Sequence, residues 1–331
     1  AGTNNIPTAD YTDQGIVVFN TPGANANAVK ELIVASLLMG SRDIYGGMNY
    51  VQGLTEITDS AEMGQLLEKE KKRFAGGEVQ GKTLGVIGLG AIGSMIANLA
   101  LELGMDVVGY DPAISVEAAW QLSSNVERMD SIEALLARSD FITLHVPAIP
   151  ATKHLINSKT LSIMKSTAKI LNFAREEIVS SADVVEALDN GVISGYITDF
   201  PAPELLGRKD VLLMPHIGAS TAEAEENCAV MAANQLMDFL ENGNILNSVN
   251  YPQIKMARNG GTRITFTNKN VPKVLGNVLS ILADSNLNVV DMVNKSRDEI
   301  AYNIIDIEGD FDDSLQANIA AVEGVVHVRI I

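Results

Sequence analysis

One cysteine in 331 residues cannot form an internal disulfide, so no covalent brace of that kind holds this fold. That thiol, Cys228, lies in a helical-looking run over 221–240 and reads as a buried or half-buried inert side chain. Basic residues are also scarce: 24 Lys and Arg stand against 41 Asp and Glu, a formal charge of −17. Such a surface repels phosphate backbones and anionic lipid, which argues against nucleic acid and membrane partners. An anionic small molecule is still admissible wherever a local basic pocket overrides the net field. Apolar runs are short, 32–39 being among the longest, far below a membrane span. No His, Cys or carboxylate group has metal-ligand spacing, so no metal is expected. No signal peptide is visible, and with a single thiol the expected compartment is cytoplasmic. The chain starts at Ala1 without a Met and reads as a fragment.

What is present points to a folded, multidomain protein. Hydrophobic residues make up 47% and charged residues 20%, enough for a sizeable core, and the length suggests two or three domains. From 83 to 216 short β-branched runs alternate with helical patterns, as in a parallel sheet with crossover helices. Strands are expected at 83–87, 106–110, 141–144, 169–172, 193–198 and 211–214, with helices at 91–103, 131–138, 160–165 and 181–190. Before this block, 16–19 reads as a strand and 28–39 as a strongly apolar helix; after it, 221–240 reads as a long helix. A stretch rich in Asn, Gly and Pro follows, and 262–331 then runs strand, helix, strand, strand, helix, strand, the ferredoxin-like order. The expected domains are 28–220 for the nucleotide unit, 1–27 with 221–250 for a second unit, a linker at 251–261 and a small third domain at 262–331.

Gly88-Leu-Gly90-Ala-Ile-Gly93 lies between the first strand of the alternating block and its helix, the setting of a dinucleotide fingerprint. Gly88 permits the tight turn, Gly90 lets a pyrophosphate approach the backbone, and Gly93 lets helix and strand pack closely. Asp111 follows 18 residues after Gly93 at the end of the next strand. A carboxylate there accepts hydrogen bonds from ribose hydroxyls and repels a 2′-phosphate, and no Lys or Arg occurs in the next fifteen residues. NAD is therefore expected rather than NADP. The bland alternative, packing glycines and an Asp-Pro turn, explains each residue singly but not the combination.

A bound nicotinamide needs a proton acceptor for an alcohol and a cation for an acid group. His216, in Met214-Pro215-His216-Ile217-Gly218-Ala219, stands just after a strand, where ligands of open α/β sheets bind. Arg175, in Asn172-Phe173-Ala174-Arg175, follows another strand and offers a bidentate fork for a carboxylate. Glu204, in the loop before His216, is placed to orient and charge-stabilise the imidazole. A lone His after a strand is more often structural, so position alone leaves both readings open. His145 and His154 read as structural or near-cofactor residues, His327 as a packing or surface residue, and Trp120 as filler.

These motifs, with Leu144-His145-Val146-Pro147 and Thr152, resemble the D-isomer-specific 2-hydroxyacid dehydrogenase family from Gly2 to about Asn250, and the run from Phe19 to Glu31 is similar to that family's lead-in to its cofactor domain. The C-terminal piece resembles an ACT domain. The resemblance implies a Rossmann-type doubly wound sheet, a partial flavodoxin-like substrate domain and a ferredoxin-like ACT regulatory domain. It implies catalytic roles for Arg175, Glu204 and His216. It also implies cofactor contacts by Ala91, Ile92, Asp111, Phe173, Ala174, Asp199 and the turn from His216 through Gly218 to Ala219. Gly2, Thr3 and Asn4 resemble the tail of the family's substrate loop, several dozen residues of which are absent upstream, so this chain is expected to be a poor enzyme. The ACT pairing implies NAD-dependent oxidation of 3-phospho-D-glycerate, the entry to L-serine synthesis. Another 2-hydroxyacid reductase, or an NAD-binding regulatory protein without turnover, stands as the alternative.

Further departures from the family pattern are visible: Glu176 follows Arg175 where Gly is usual, the loop from Asp199 to His216 that carries Glu204 is short, and Lys273 follows Pro272 where Gly is usual. In the last domain Pro272 is expected to open a helix. By resemblance Asn268, Asn270 and Asn288 are candidate ligands for an L-serine effector, the alternative being that they only cap and turn. The apolar excess of 28–44 fits a helix buried between subunits, and the resemblance points to a homodimer or homotetramer.

Overall fold

The computed structural model describes residues 5–331, which divide into two compact units, 25–224 and the remainder. Unit 25–224 is built on seven strands: β1 (Thr83–Ile87), β2 (Asp106–Tyr110), β3 (Glu127–Arg128), β4 (Phe141–Leu144), β5 (Lys169–Asn172), β6 (Gly195–Thr198) and β7 (Val211–Leu213). They pair in parallel in the order β3-β2-β1-β4-β5-β6-β7. The order reverses between β1 and β4, the crevice where an open α/β sheet binds its ligand.

Alternation along the strands explains why both faces are covered. Leu84, Val86, Val107, Phe141, Leu171 and Ile197 feed one apolar cluster, completed by Ile33 and Leu37 of the helix Ala26–Ser41 and Ile96 and Ala97 of Ala91–Glu102. Ile87, Val108, Ile142, Leu144, Ile170 and Tyr196 feed the other, with Leu135, Leu136, Val184 and Leu188. Side chains of period two on a doubly covered sheet have no other arrangement. Helices Ile44–Gln52, Ser60–Glu70 and Val116–Gln121 add to this unit beyond the expected elements. The helix expected at 160–165 is the single turn Ser158–Leu161, started by an Asn157–Thr160 capping box.

In the other unit, four strands, β8 (Thr262–Lys269), β9 (Asn288–Arg297), β10 (Ile300–Glu308) and β11 (Val325–Ile330), form an antiparallel sheet ordered β11-β8-β10-β9. Helices Val274–Asp284 and Ser314–Ala320 complete the expected strand, helix, strand, strand, helix, strand order. Ile264, Phe266, Ile305, Val278, Leu282 and Ile319 are its core. Residues 251–261, expected as a linker, carry buried Tyr251, Ile254 and Met256, packed with Ile300, Tyr302 and Ile304.

Three expectations are corrected. The strand at 16–19 and the partial flavodoxin-like sheet it belonged to reduce, among the described residues, to one isolated bridge, Phe19 to Ser248. An alternating apolar run encodes extended backbone, but a sheet also needs a neighbour to pair with. Pro272 does not open a helix: Lys273 adopts φ 77°, ψ −23°, and the helix begins at Val274.

The long helix Ala222–Asn242 has no basic residue in its last turn, yet its final carbonyls are not left bare. Arg329 donates to the carbonyls of Phe239 (3.1 Å) and Leu240 (2.7 Å), Arg258 to Glu241 (2.8 Å) and Arg263 to Asn242 (2.9 Å). Among the described residues no helix is long and apolar enough to cross a membrane.

Candidate functional site

The expected site residues of unit 25–224 gather at the carboxyl edge of the parallel sheet. After β1 the chain turns at Gly88 with φ 91°, and a Cβ there would meet the His145 carbonyl oxygen at 2.5 Å. At Gly93 a Cβ would lie 1.9 Å from the Gly88 carbonyl oxygen, so helix and turn close on each other only because both residues are glycine. Gly90 is different. Nothing lies within 4 Å of a Cβ built there, and it is exposed at the N-cap of Ala91–Glu102 with no side chain to cap the first-turn amides. Those amides, beginning with Ala91 and Ile92, are the donors a phosphate would meet at a helix start. Asp111, at the end of β2, reaches back to this loop: its carboxylate accepts from the Leu89 N–H at 2.8 Å and from the Ala113 N–H at 2.9 Å.

His145 follows β4, beside the crevice. Its Nε2 is 2.9 Å from Thr143 Oγ1, and burial pushes its imidazole down to about 3, so the ring is neutral at physiological pH. A neutral ring bonded to Thr143 is not placed as an acid or base group.

Beyond β5, Phe173 is buried, Ala174 half-buried and Arg175 exposed. One guanidinium nitrogen of Arg175 donates to the Ala174 carbonyl at 2.6 Å. Glu176 sits in ordinary backbone, outside the left-handed region, so this turn does not need the glycine usual in the family. Beyond β6, Asp199 is 1% exposed; Oδ2 accepts from the Gly218 N–H at 2.9 Å, and Oδ1 is buried without a partner. Beyond β7, His216 is exposed and holds φ 46°, an uncommon backbone for a non-glycine residue. Its N–H donates to the Asp199 carbonyl at 2.9 Å, and its ring lies 4.9 Å from that of Phe200. With only β6 between them, the strands that deliver Arg175 and His216 are roughly 10 Å apart.

The residues present fit a nicotinamide dinucleotide. Open space at Gly90 and uncapped amides suit a pyrophosphate, the Asp111 carboxylate at the loop suits a ribose, and the orphaned Asp199 Oδ1 suits an amide donor at the far end of the crevice.

Not every expected residue joins them. Glu204 lies exposed in the short turn Pro203–Leu205, and among the described residues no hydrogen bond or ion pair links it to His216. Gly2, Thr3 and Asn4 lie outside the described residues. In the antiparallel sheet, Asn268 pairs with Ala301 and Asn288 with Glu308, seven residues along β10, so the two asparagines of one chain are about 23 Å apart. Asn268 is buried, donating to the Lys269 carbonyl and accepting from the Asn303 amide. Asn270 donates to the Asp298 carbonyl at 3.2 Å, and Asn288 is exposed. Among the described residues no group of three His, Cys, Asp or Glu side chains is placed to hold a metal ion.

Three residues at this edge escape the sequence reading: Asn172, Thr198 and Phe200. Asn172 and Thr198 are fully buried polar residues at strand ends. An Asn ending an apolar strand just before a candidate anchor was the available signal, because Asn side chains shape the turns that follow them.

Comparison with known proteins gives the same class. Residues 47–218 match the family model for the NAD binding domain of D-isomer specific 2-hydroxyacid dehydrogenases. Over 342 aligned residues the chain is 32% identical to a D-3-phosphoglycerate dehydrogenase of Haemophilus influenzae, covering 100% of this chain and 79% of the relative. It is also 32% identical over 344 residues to the Escherichia coli K12 protein of the same name, with the same coverage. Among solved structures, the D-mandelate dehydrogenase of Rhodotorula graminis superposes with a TM-score of 0.64 at 28% identity, covering 75% of this chain and 72% of its own. The chain belongs to the D-isomer specific 2-hydroxyacid dehydrogenase family. It is an NAD-dependent oxidoreductase.

Proposed function

We propose that this chain oxidises 3-phospho-D-glycerate to 3-phosphohydroxypyruvate, the first step of L-serine synthesis. The observation that carries this reading is the extent of the match to relatives named D-3-phosphoglycerate dehydrogenase. It runs over 100% of the chain and so takes in the antiparallel sheet, whereas the D-mandelate dehydrogenase structure covers 75%.

In this reading Arg175 holds the substrate carboxylate in its planar fork and polarises the oxygen at C2 as a carbonyl develops there. His216 takes the proton of the C2 hydroxyl; its ring is exposed and lies 4.9 Å from that of Phe200. Bound NAD would supply the hydride acceptor for C2. Asp199 would receive an amide donor of the cofactor on Oδ1, and Phe173, Ala174, Gly218 and Ala219 are assigned to the cofactor on family resemblance. Glu204 is assigned as the partner of His216 on family resemblance alone. Gly2, Thr3 and Asn4 are assigned to the substrate on the same ground.

The unit at 262–331 is read as a ferredoxin-like ACT domain, supported by its element order and its strand order β11-β8-β10-β9. An L-serine site there would draw Asn270 from one subunit and Asn288 from another, with Asn268 shaping the turn from inside the sheet. A homodimer or homotetramer fits this, and exposed Leu38, Tyr45, Met48 and Val51 give the nucleotide unit an apolar surface to cover.

Steady-state reduction of 3-phosphohydroxypyruvate, glyoxylate, hydroxypyruvate and pyruvate with NADH tests the substrate. The phosphorylated acid should give the highest kcat/KM; a preference for glyoxylate would replace the reading with that of a general 2-hydroxyacid reductase. His216→Ala should abolish turnover with NADH affinity nearly intact, and loss of both would refute its role as the base. Serine that neither inhibits nor shifts the thermal midpoint would remove the effector site.

A further inference from the structure

Hydrogen bonds of two buried side chains, Asn172 and Thr198, run from the Arg175 turn to the segment Asp199–Phe200 that touches His216. Asn172 ends β5. Its side-chain oxygen accepts from the Ala174 N–H at 3.2 Å, and its amide nitrogen donates to the Arg175 carbonyl at 2.9 Å and the Tyr196 hydroxyl at 3.4 Å. Both backbone partners fix the amide orientation, since an N–H can only donate and a carbonyl only accept. The Asn172 carbonyl in turn accepts from Thr198 Oγ1 at 2.8 Å, and the same Oγ1 accepts from the Phe200 N–H at 3.1 Å. The Phe200 ring lies 4.9 Å from that of His216 at a tilt of 51°, and Asp199 accepts from the N–H groups of His216 and Gly218. Asn172 and Thr198 are both 0% exposed, and the Thr198 hydroxyl bond to the Asn172 carbonyl is fully buried, where a hydrogen bond is stronger than in water.

We propose that Asn172 and Thr198 are positioning residues that fix the Arg175 turn relative to the His216 turn. Neither side chain faces the crevice as a reacting group; each acts through the backbone of the turn it braces. The sheet itself sets only the spacing of β5, β6 and β7. The tilt of the two turns above it is set by a side-chain amide and a hydroxyl, and a small error at that point costs rate steeply. The inference rests on Arg175 being the carboxylate anchor.

The test is a double-mutant cycle on kcat/KM for 3-phosphohydroxypyruvate with NADH, using the full chain. Asn172→Asp keeps the acceptor for Ala174 but loses the donor to Arg175, and should lower kcat/KM about tenfold. In an Arg175→Lys background the same change should have less than a twofold effect, because the group it positions is already gone. Thr198→Val should likewise lose about tenfold, with Thr198→Ser restoring most of it. If Thr198→Val fails to fold, the Asn172 cycle decides alone. Equal losses from Asn172→Asp in both backgrounds would overturn the inference while leaving the anchor in place. Undiminished turnover of Arg175→Lys would instead refute the anchor reading, and the inference with it.

Discussion

Arg263 and Asp306 face each other across β8 and β10 as a fully buried ion pair, Nε to Oδ1 at 2.6 Å and Nη2 to Oδ2 at 2.8 Å, with side chains 0% and 1% exposed. The remaining guanidinium donors bind the carbonyls of Asn242, Met256 and Ala257, so the arginine meets no polar deficit in the core. Removing one partner strands the other charge. Asp306→Ala should cost about 3–5 kcal/mol of stability in this unit. Urea unfolding followed in that unit checks it, and a loss under 1 kcal/mol would mean that water reaches the arginine.

Gly90 and Gly93 should separate cofactor binding from folding. Gly90 has φ −68° and open space above it, so Gly90→Ala should keep the melting temperature while weakening NADH binding roughly tenfold. Gly93→Ala forces a carbon against the Gly88 carbonyl and should lower both. Calorimetry with and without NADH distinguishes the two; equal effects would contradict the geometry.

Much of this site could be read in advance. The fingerprint glycines, Asp111, Arg175 and His216 each follow a strand that alternation or β-branching marks out, and the edge of a parallel sheet then collects them. What could not be read depends on partners distant in sequence. Asn172 and Thr198 are 26 residues apart, and nothing local announces a hydroxyl-to-carbonyl bond between neighbouring strands. The helix Ile44–Gln52 was hidden by Gly46 and Gly47, poor helix formers offset by the Asp43 cap and by Tyr50 packing on Phe74. The failure at 16–19 is of another kind: among the described residues the segment makes a single bridge, Phe19 to Ser248, and its other hydrogen bonds, such as Val18 N–H to the Asn250 side chain, build no ladder.

His145 gives the nucleotide unit an acid-sensitive point. Burial holds its folded imidazole near 3 against an ordinary value of 6.5, so the unfolded chain takes up the proton first. Its contribution to stability is complete above pH 6.5 and is lost as pH falls from there toward 3. His145→Gln, neutral throughout, should flatten the decline in stability over that window. Parallel curves for the two proteins between pH 6.5 and pH 4 would show that the ring is hydrated.

Lys273 occupies a left-handed backbone at φ 77°, a conformation that favours glycine. A side chain there costs about 1–2 kcal/mol, partly offset by the greater unfolded-chain freedom of glycine. Lys273→Gly should stabilise the antiparallel unit by about 1 kcal/mol, read as a rise in its denaturant midpoint. A fall would show that the lysine makes a compensating contact.

Asp111 should govern the choice between the two nicotinamide dinucleotides. Asp111→Asn can still accept from Leu89 while losing the negative charge, and should raise the NADP-to-NAD ratio of kcat/KM about tenfold. An unchanged ratio would place the ribose elsewhere.

The three arginines at the end of the helix Ala222–Asn242 constrain how the protein can be dissected. All of them lie downstream of the helix they finish, at positions 258, 263 and 329. An expression clone stopping near residue 250 would keep the whole rod yet strip the caps from its last turn, inviting that end to unravel. Any attempt to obtain the nucleotide-binding half by itself therefore does better to cut ahead of Ala222 than behind Asn242.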